Sequence, residues 1–341
     1  MVTRRTILQS GSMAAAAAIM PKAAFGQTAK YPVKVAHLES PAQPRHKGLE
    51  KVGALVKERT GGEVEFTLYP LSQLGNARQM IEGTQFGAIE CTVQPAAFLG
   101  GFNPVVSVLD VPYLLPTDRD LSQKLRSGPF GKALLDSFEK RGLHALTEWP
   151  NGRKSLTSNK SLDNLVDLAG QKYRVMDSKI LIEQFAAVGA TAVVINFGEL
   201  YTSLQTGLVD GQENPLDTIT TMKFHEVQKN LVVTEHGAME DFVLFNPAWW
   251  QALPDGHKDI IAKAFDEVRP EVEKMKEASA LAALEVIKAA GVNVRIAEEA
   301  ERNKLKDATA SKTRGAYVTL AGAEGEDILK IYDAEYKKLA G

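Results

Sequence analysis

Cysteine is almost absent from this sequence, because Cys91 is the only one among 341 residues. The chain therefore has no disulfide framework, and a protein of this length has to be stabilised by the burial of apolar surface. Cys91 lies within the apolar run GAIECTVQPAAF. We expect it to be a small buried hydrophobe and not a reactive thiol.

Catalytic and metal-binding motifs are also missing. The sequence contains no GxSxG, no glycine-rich phosphate loop with its lysine, and no GxGxxG that opens a helix. The six histidines are scattered, and no two have the spacing of metal ligands on a helix. These absences favour a binding protein over an enzyme, and they predict neither a cofactor nor a metal site.

Long apolar runs are lacking except near the start of the chain. Arg4 and Arg5 precede an apolar run from Ile7 to about Met20, and small residues follow before Gly26. This layout is typical of a secretory signal, and the paired arginines indicate the twin-arginine route. The run is too short to anchor the chain in a bilayer. We expect cleavage near Gly26 and a mature chain in the periplasm.

Strong charge of either sign is lacking in the mature chain. Removing residues 1–26 removes three basic residues and no acidic ones, which leaves 37 Lys and Arg against 42 Asp and Glu, a formal charge of −5. A mildly acidic surface argues against nucleic acid or an anionic membrane as a partner. No later run is apolar enough to predict membrane insertion of the mature chain.

Strand-like and helix-like stretches alternate along the chain. YPVKVAHL, EVEFTLYP and AIECTVQPAAF predict strands, and amphipathic helices separate them. The same alternation starts again at residue 151, so we expect an α/β fold with two lobes. Lobe 1 would comprise residues 27–150, completed by about 240–270. Lobe 2 would comprise residues 151–239, completed by C-terminal helices over about 271–341. Phe265, Val268, Val272 and Met275 recur at three and four residues and predict one apolar helix face, and Pro270 should interrupt that helix.

One predicted strand contains an arginine between apolar neighbours. In GQKYRVMDS, Arg174 is flanked by residues with strand propensity. Burying an unpaired guanidinium costs several kcal/mol, so a buried Arg174 needs an anion. That anion is either a carboxylate of this chain, for which Asp177 and Glu199 are the candidates, or a ligand.

Other candidate binding residues come from loops and strand ends. Asn214 in VDGQENP belongs either to a solvated turn or to a wall that faces a ligand. Glu199 is either a charge at a helix start or a pocket residue. An open α/β sheet binds its ligand beyond its strand ends. The side chains there are either packing residues or the opposite wall, and they are His37, Gln94, Trp149 and Phe242.

Four segments together resemble the DctP-type solute-binding proteins of TRAP transporters: YPLSQLGNARQMIEGTQFG, GQKYRV, GELYTSLQTGLVDGQENP and HEVQKNLVVTEH. The resemblance implies a two-lobe periplasmic-binding-protein fold, with a ligand cleft between the lobes and a long helix crossing both. It implies capture of a small organic acid and its delivery to a membrane permease. It also implies that Arg174 pairs with the substrate carboxylate, that Asn214 hydrogen-bonds it, and that Arg153 is a second arginine of the site.

Two other functions stay open at this point. The same pocket could feed a membrane sensor, or the chain could be an exported enzyme on the same fold. The sequence does not identify the acid, although a second arginine favours dicarboxylates or sugar acids over simpler ligands.

Overall fold

The computed structural model describes residues 29–341, so the predicted signal segment lies outside the described residues. Ten strands of this part of the chain form one mixed sheet. They are β1 (Tyr31–His37), β2 (Val64–Tyr69), β3 (Cys91–Pro95), β4 (His144–Ser158), β5 (Lys172–Val175), β6 (Thr191–Val194), β7 (Gly211–Pro215), β8 (Asn230–Val233), β9 (Ala238–Phe245) and β10 (Asn293–Ile296).

Helices cover both faces of this sheet. The α-helices of the described residues are α1 (Pro44–Arg59), α2 (Ala77–Gln85), α3 (Arg119–Ser127), α4 (Pro129–Asp136), α5 (Lys179–Ala187), α6 (Leu200–Gln205), α7 (Leu216–Thr221), α8 (Pro247–Ala252), α9 (Asp255–Ala289) and α10 (Glu299–Ala340). Short 3₁₀ helices lie between them at Ala96–Phe98, Pro104–Asp110, Glu139–Arg141, Leu165–Leu168, Phe197–Glu199 and Phe224–Val227.

The sheet has two halves that share one strand. Along the main path the strand order is β2-β1-β3-β9-β4-β7-β5-β6, while β8 pairs with β4 and β10 pairs with β8. Strands β1, β2 and β3 run parallel, as do β5, β6 and β7. Helices α1 and α2 connect the first three strands, which is the arrangement that parallel neighbours require. The α/β prediction is confirmed.

Strand β4 joins the two halves. It pairs with β9 over residues 144–153 and with β7 over residues 154–158. The register shifts between Pro150 and Gly152, where Gly152 adopts φ 135°. A Cβ atom there would lie 3.1 Å from the Cβ of Pro215. The segment is thus one long strand that bends at a glycine.

Helix α9 crosses both halves, since it packs on α1 in the first and on α7 in the second. Its buried face includes Phe265, Val268 and Val272, as the helical spacing predicted. The predicted interruption at Pro270 is wrong, because the helix continues through this residue from Asp255 to Ala289. Proline removes one backbone donor, and buried valines on either side of it hold the helix against the sheet.

Apolar clusters lie on both sides of the shared strand. One packs β1, β3 and α1 against α9, and another packs β5 against α5. Helix α10 contacts α3 and α4 as well as α5. The division into lobes at residues 150 and 151 remains a prediction. No helix within residues 29–341 is both long and apolar enough to cross a membrane.

Candidate functional site

Arg174 lies in the middle of β5. The preceding residue, Tyr173, stacks on Phe185 with ring centroids 4.7 Å apart, so the pleat turns Arg174 to the opposite face of the sheet. The Arg174 side chain is 1 % exposed. Its Nε donates to the backbone oxygen of Ile195 at 2.9 Å, and its guanidinium carbon lies 5.8 Å from the ring centroid of Phe197. The charged group is therefore held in place by a carbonyl and an aromatic ring.

The Arg174 guanidinium forms no ion pair with a carboxylate within the described chain. Its Nη2 is buried without a hydrogen-bond partner there. Asp177 and Glu199, the two internal candidates, are both exposed. Burial lowers the pKa of Arg174 to about 10, and the nearby Glu213 carboxylate opposes this shift. The group thus stays protonated at neutral pH and keeps N–H donors for an incoming acceptor.

Asn214 lies on the same face as Arg174. Strand β7 runs parallel to β5 with Gln212 opposite Arg174, and Asn214 follows two residues later. The Asn214 side chain is buried, and its Nδ2 donates to Oε1 of Gln212 at 2.5 Å. A carboxamide has a second N–H on the same nitrogen. The structure therefore brings two of the predicted site residues to one surface.

Asn214 also lines a cavity between the two halves of the fold, which we call the interlobe cavity. Its lining residues are Leu38, Glu39, Arg45, Pro95, Phe98, Met176, Phe197, Asn214, Thr218 and Met239. Arg174 does not itself line this cavity, but its guanidinium lies against the lining residue Phe197. It encloses about 10 Å³, which is space for about one water molecule. The two halves are closed on each other in this conformation, so a larger ligand requires them to separate.

A buried ion pair forms one side of the interlobe cavity. Arg45 contacts Glu39 and Asp241, each at 2.5 Å, and all three side chains are at most 3 % exposed. Burial by itself would raise the pKa of Glu39, but the charges of Arg45 and Lys276 hold it below its usual value. Glu39 is therefore ionised and matches the Arg45 charge, whereas burial raises the pKa of Asp241 to about 7 against the opposing charge of Arg45.

This ion pair extends to α9 through Asn151. The Asn151 Nδ2 donates to Glu39 at 3.0 Å and to Asp241 at 3.1 Å. The Lys276 Nζ of α9 donates to Oδ1 of Asn151 and to Oδ2 of Asp217, both at 2.8 Å. We call the six residues Glu39, Arg45, Asn151, Asp217, Asp241 and Lys276 the interlobe network. It connects β4, β9, α7 and α9 close to the candidate site.

A second buried cluster was missed by the sequence analysis. The Lys154 Nζ donates to Oε1 of Glu213 at 2.5 Å, and Oε2 of Glu213 accepts from Gln184 and contacts His236, both at 2.7 Å. Lys154 and His236 hold the pKa of Glu213 far below its usual value, although burial opposes them. Lys154 directly follows Arg153 in the sequence. Because successive side chains of a strand point to opposite faces, this spacing could have predicted that only one of the two faces the site.

Arg153 does not line the interlobe cavity. Its Nη1 donates to the backbone oxygen of Leu115 at 2.8 Å, and its Nη2 donates to that of Pro116. It borders instead a pocket of about 300 Å³, which we call the hinge pocket. The other basic residues of that pocket are Arg119, Arg126 and Lys276, and its acidic residues are Asp120, Asp217, Glu235, Glu240, Glu273 and Glu277.

His37 and Gln94 are fully buried beside residues that line the interlobe cavity. The His37 Nε2 lies 3.0 Å from Nδ1 of His46. Burial, assisted by the Arg45 charge, lowers the pKa of His37 to about 3, so its ring is neutral. Gln94 donates to Thr92 at 2.8 Å, and its Oε1 has no partner among the described residues.

The three remaining predicted residues lie away from this cavity. Trp149 packs on Phe265 at 5.2 Å between ring centroids, and Phe242 packs on Phe138 at 5.1 Å, both in apolar cores. Glu199 is exposed and accepts a hydrogen bond from Asn196 at 3.3 Å.

Comparison with known proteins shows to which family the chain belongs. The profile of DctP, the bacterial extracellular solute-binding protein family 7, matches residues 35–319. The chain belongs to the DctP family. The resemblance seen in the sequence is thereby confirmed, together with the prediction of a transport binding protein rather than an enzyme.

Individual relatives agree with this assignment. The C4-dicarboxylate-binding periplasmic protein DctP of Rhodobacter capsulatus is 34% identical over 263 residues, 76% of this chain and 78% of the relative. A TRAP periplasmic solute-binding protein of Desulfovibrio salexigens, solved with bound orotic acid, is 60% identical with a TM-score of 0.90, covering 91% of this chain and 99% of that one.

A second solved structure is more distant in sequence. A TRAP periplasmic solute-binding protein of Sulfurospirillum deleyianum, solved with bound succinate, is 31% identical with a TM-score of 0.82, covering 90% of this chain and 99% of that one. The matched fold covers nearly all of each solved chain. The two-lobe architecture with a cleft is therefore confirmed, and the DctP-family chain described here is an exported, periplasmic binding protein.

Proposed function

We propose that this DctP-family protein captures a small organic acid in the interlobe cavity and delivers it to the permease of a TRAP transporter. Arg174 holds the ligand carboxylate and Asn214 hydrogen-bonds it. The observation that carries this proposal is the buried Arg174 guanidinium, whose Nη2 has no partner within the described chain. A carboxylate that enters when the lobes part and is enclosed when they close would match this charge.

The energetics suit this assignment. Charge-assisted hydrogen bonds contribute about 1.5–3 kcal/mol each, and micromolar affinity corresponds to about 8 kcal/mol. Two such bonds from Arg174 and Asn214 would supply roughly half of that free energy. The remainder would come from burial of the ligand body when the lobes close.

The relatives support an acid as the ligand. The Desulfovibrio salexigens protein holds orotic acid and the Sulfurospirillum deleyianum protein holds succinate, and both molecules carry carboxylates. The identity of 60% with the former makes orotate the first acid to test.

Export and delivery complete the proposed cycle. Arg4 and Arg5 would direct the chain to the twin-arginine route, with cleavage near Gly26. The closed, loaded form would be the one that the permease recognises. A sensor in place of the permease would use the same pocket, and a neighbouring gene for either membrane protein distinguishes the two roles.

The test compares Arg174→Lys with the wild-type protein, freed of co-purified ligand by unfolding and refolding. Thermal shifts with a panel of acids identify a ligand, since a hundredfold excess over Kd stabilises the folded state by about 2.7 kcal/mol. Calorimetry should then show that Arg174→Lys weakens binding about 30-fold, because an ammonium cannot replace the planar guanidinium.

Two further variants make this test decisive. Asn214→Asp preserves the side-chain shape but places a negative charge beside the carboxylate, so binding should be abolished. Arg59→Lys is the control, because Arg59 forms only a surface ion pair with Glu267 at 2.8 Å. Wild-type affinity in folded Arg174→Lys and Asn214→Asp would overturn the proposal.

A further inference from the structure

The walls of the interlobe cavity are mostly apolar. Six of its ten lining residues have no hydrogen-bonding side chain apart from weakly accepting sulfur, and they are Leu38, Pro95, Phe98, Met176, Phe197 and Met239. They come from both halves of the fold, so the ligand body would be enclosed by apolar groups on several sides. An apolar lining with few polar groups selects a ligand that presents apolar surface to it, such as the two faces of a flat ring.

The polar lining residues other than Asn214 already have partners. Glu39 accepts from Nε of Arg45 at 3.0 Å, and Arg45 also pairs with Asp241. Thr218 accepts from Nε2 of Gln43 at 3.1 Å. A ligand hydroxyl pointing at these walls would lose its water without gaining an equivalent partner. A second ligand carboxylate would approach the ionised Glu39.

Arg153, the second arginine that favoured dicarboxylates or sugar acids in the sequence, does not line this cavity. Arg153 donates to the backbone oxygens of Leu115 and Pro116 and borders the hinge pocket. Arg45, the cation that does line the cavity, is paired with Glu39 and Asp241. Arg174 lies against the lining residue Phe197 and forms no ion pair within the described chain, so we take it as the cation for one carboxylate.

The composition of the walls also indicates a flat ligand. Two phenylalanines, Phe98 and Phe197, present ring surfaces, and Met176 and Met239 add flexible sulfur-containing side chains. Aromatic faces and thioethers both pack favourably on planar rings. The Arg174 guanidinium lies against Phe197, so a carboxylate bound there would extend its substituent along that ring.

We infer that the interlobe cavity selects a monocarboxylate whose body is a flat unsaturated ring, an aromatic or heteroaromatic acid, over open-chain dicarboxylates and polyhydroxy sugar acids. This inference rests on the proposed function, because it takes Arg174 as the carboxylate clamp. Within that function it names the ligand class that these particular walls accept.

The inference is tested by calorimetry on the refolded protein with three probes, orotate, succinate and galactonate. Orotate should bind at least 100-fold more tightly than either of the others. Met239→Gln, which keeps side-chain length but adds a polar amide to the wall, should weaken orotate binding at least tenfold. Met275→Gln is the matched control, because Met275 is half-buried on α9 outside the cavity, and it should leave orotate binding unchanged.

The outcomes separate this inference from the proposed function. Tighter binding of succinate or galactonate than of orotate, lost in Arg174→Lys, would overturn the ligand class and leave the carboxylate clamp intact. Equal weakening of orotate binding in Met239→Gln and Met275→Gln would likewise overturn the wall argument. An orotate affinity that is the same in Arg174→Lys as in the wild type would overturn the proposed function itself.

Discussion

At the scale of single residues, Glu148 of β4 is a buried carboxyl group without a hydrogen-bond partner among the described residues. It is 4% exposed, and neither of its oxygens is paired. Burial and the neighbouring Glu240 carboxylate raise the pKa of Glu148 to about 8, against the opposing charges of Arg126 and Arg269. The group is therefore mostly protonated in the folded protein at neutral pH.

The Glu148→Gln variant should change how stability depends on pH. The pKa of Glu148 is higher in the folded state than its ordinary value of 4.5, so the folded state binds more protons between pH 4.5 and about 8. Stability from this group therefore falls as pH rises through that window. Glu148→Gln removes the loss, and we expect it to be more stable than the wild type by about 4 kcal/mol at pH 8 and nearly equal at pH 4.5.

Urea denaturation at both pH values measures this difference. Glu285→Gln is the control, because Glu285 is an exposed partner of Lys288 and should not alter the pH profile. Parallel stability profiles for Glu148→Gln and the wild type would contradict the assignment of a raised pKa to Glu148.

At the scale of secondary-structure elements, β4 carries the connection between the two halves. Its bend occurs at Gly152, whose φ of 135° is one that residues with a Cβ rarely adopt. Pro215 of β7 lies directly beside it, with 3.1 Å between its Cβ and the position of an added Cβ. Backbone conformation and packing therefore both require glycine at this point.

Gly152→Ala should destabilise the protein by about 1–3 kcal/mol, because alanine there is strained and also contacts Pro215. Chemical denaturation measures the change. Gly315→Ala in α10 is the matched control, since no atom lies within 4 Å of its added Cβ and its backbone is helical. That control should be unchanged or more stable by up to about 1 kcal/mol. Equal stability of the two variants would show that β4 does not depend on Gly152.

At the scale of the whole molecule, the interlobe network connects elements of both halves. Lys276 of α9 donates to Asn151 of β4 and to Asp217 of α7, and Asn151 donates to Asp241 of β9. With this network formed, the interlobe cavity has space for about one water molecule. Ligand exchange therefore requires a movement of the two halves, for which the crossing elements β4 and α9 are the natural hinge.

Binding should thus make the molecule smaller in solution. Adding a saturating acid to the ligand-free protein should reduce its radius of gyration, because the ligand favours the closed form over the open, hydrated one. Small-angle X-ray scattering measures this change. Arg174→Lys, at the same ligand concentration, should keep the larger radius. An identical radius for the wild type with and without ligand would argue against closure on binding.

Much of the local structure follows from the sequence. Alternating apolar residues predicted β1, β2 and β3, and the three-to-four spacing of Phe265, Val268 and Val272 predicted the buried face of α9. These patterns report on neighbours within one element, so one sequence is enough to read them. Arg174 was found in the same way, because a charge between apolar strand residues is itself a local anomaly.

The rest depends on contacts between distant residues. The Lys154–Glu213 pair joins residues 59 apart, and Arg45 of α1 pairs with Asp241 of β9. The face of the sheet to which Arg153 and Lys154 each point depends on the register shift beside Gly152. Pro215 of the neighbouring strand β7 packs against that glycine. By itself the sequence determined the family, the α/β order and the buried cation. Only the tertiary structure decided which groups contact Arg174 and which residues line the interlobe cavity. Pairing and burial depend on elements that the fold brings together from distant parts of the chain.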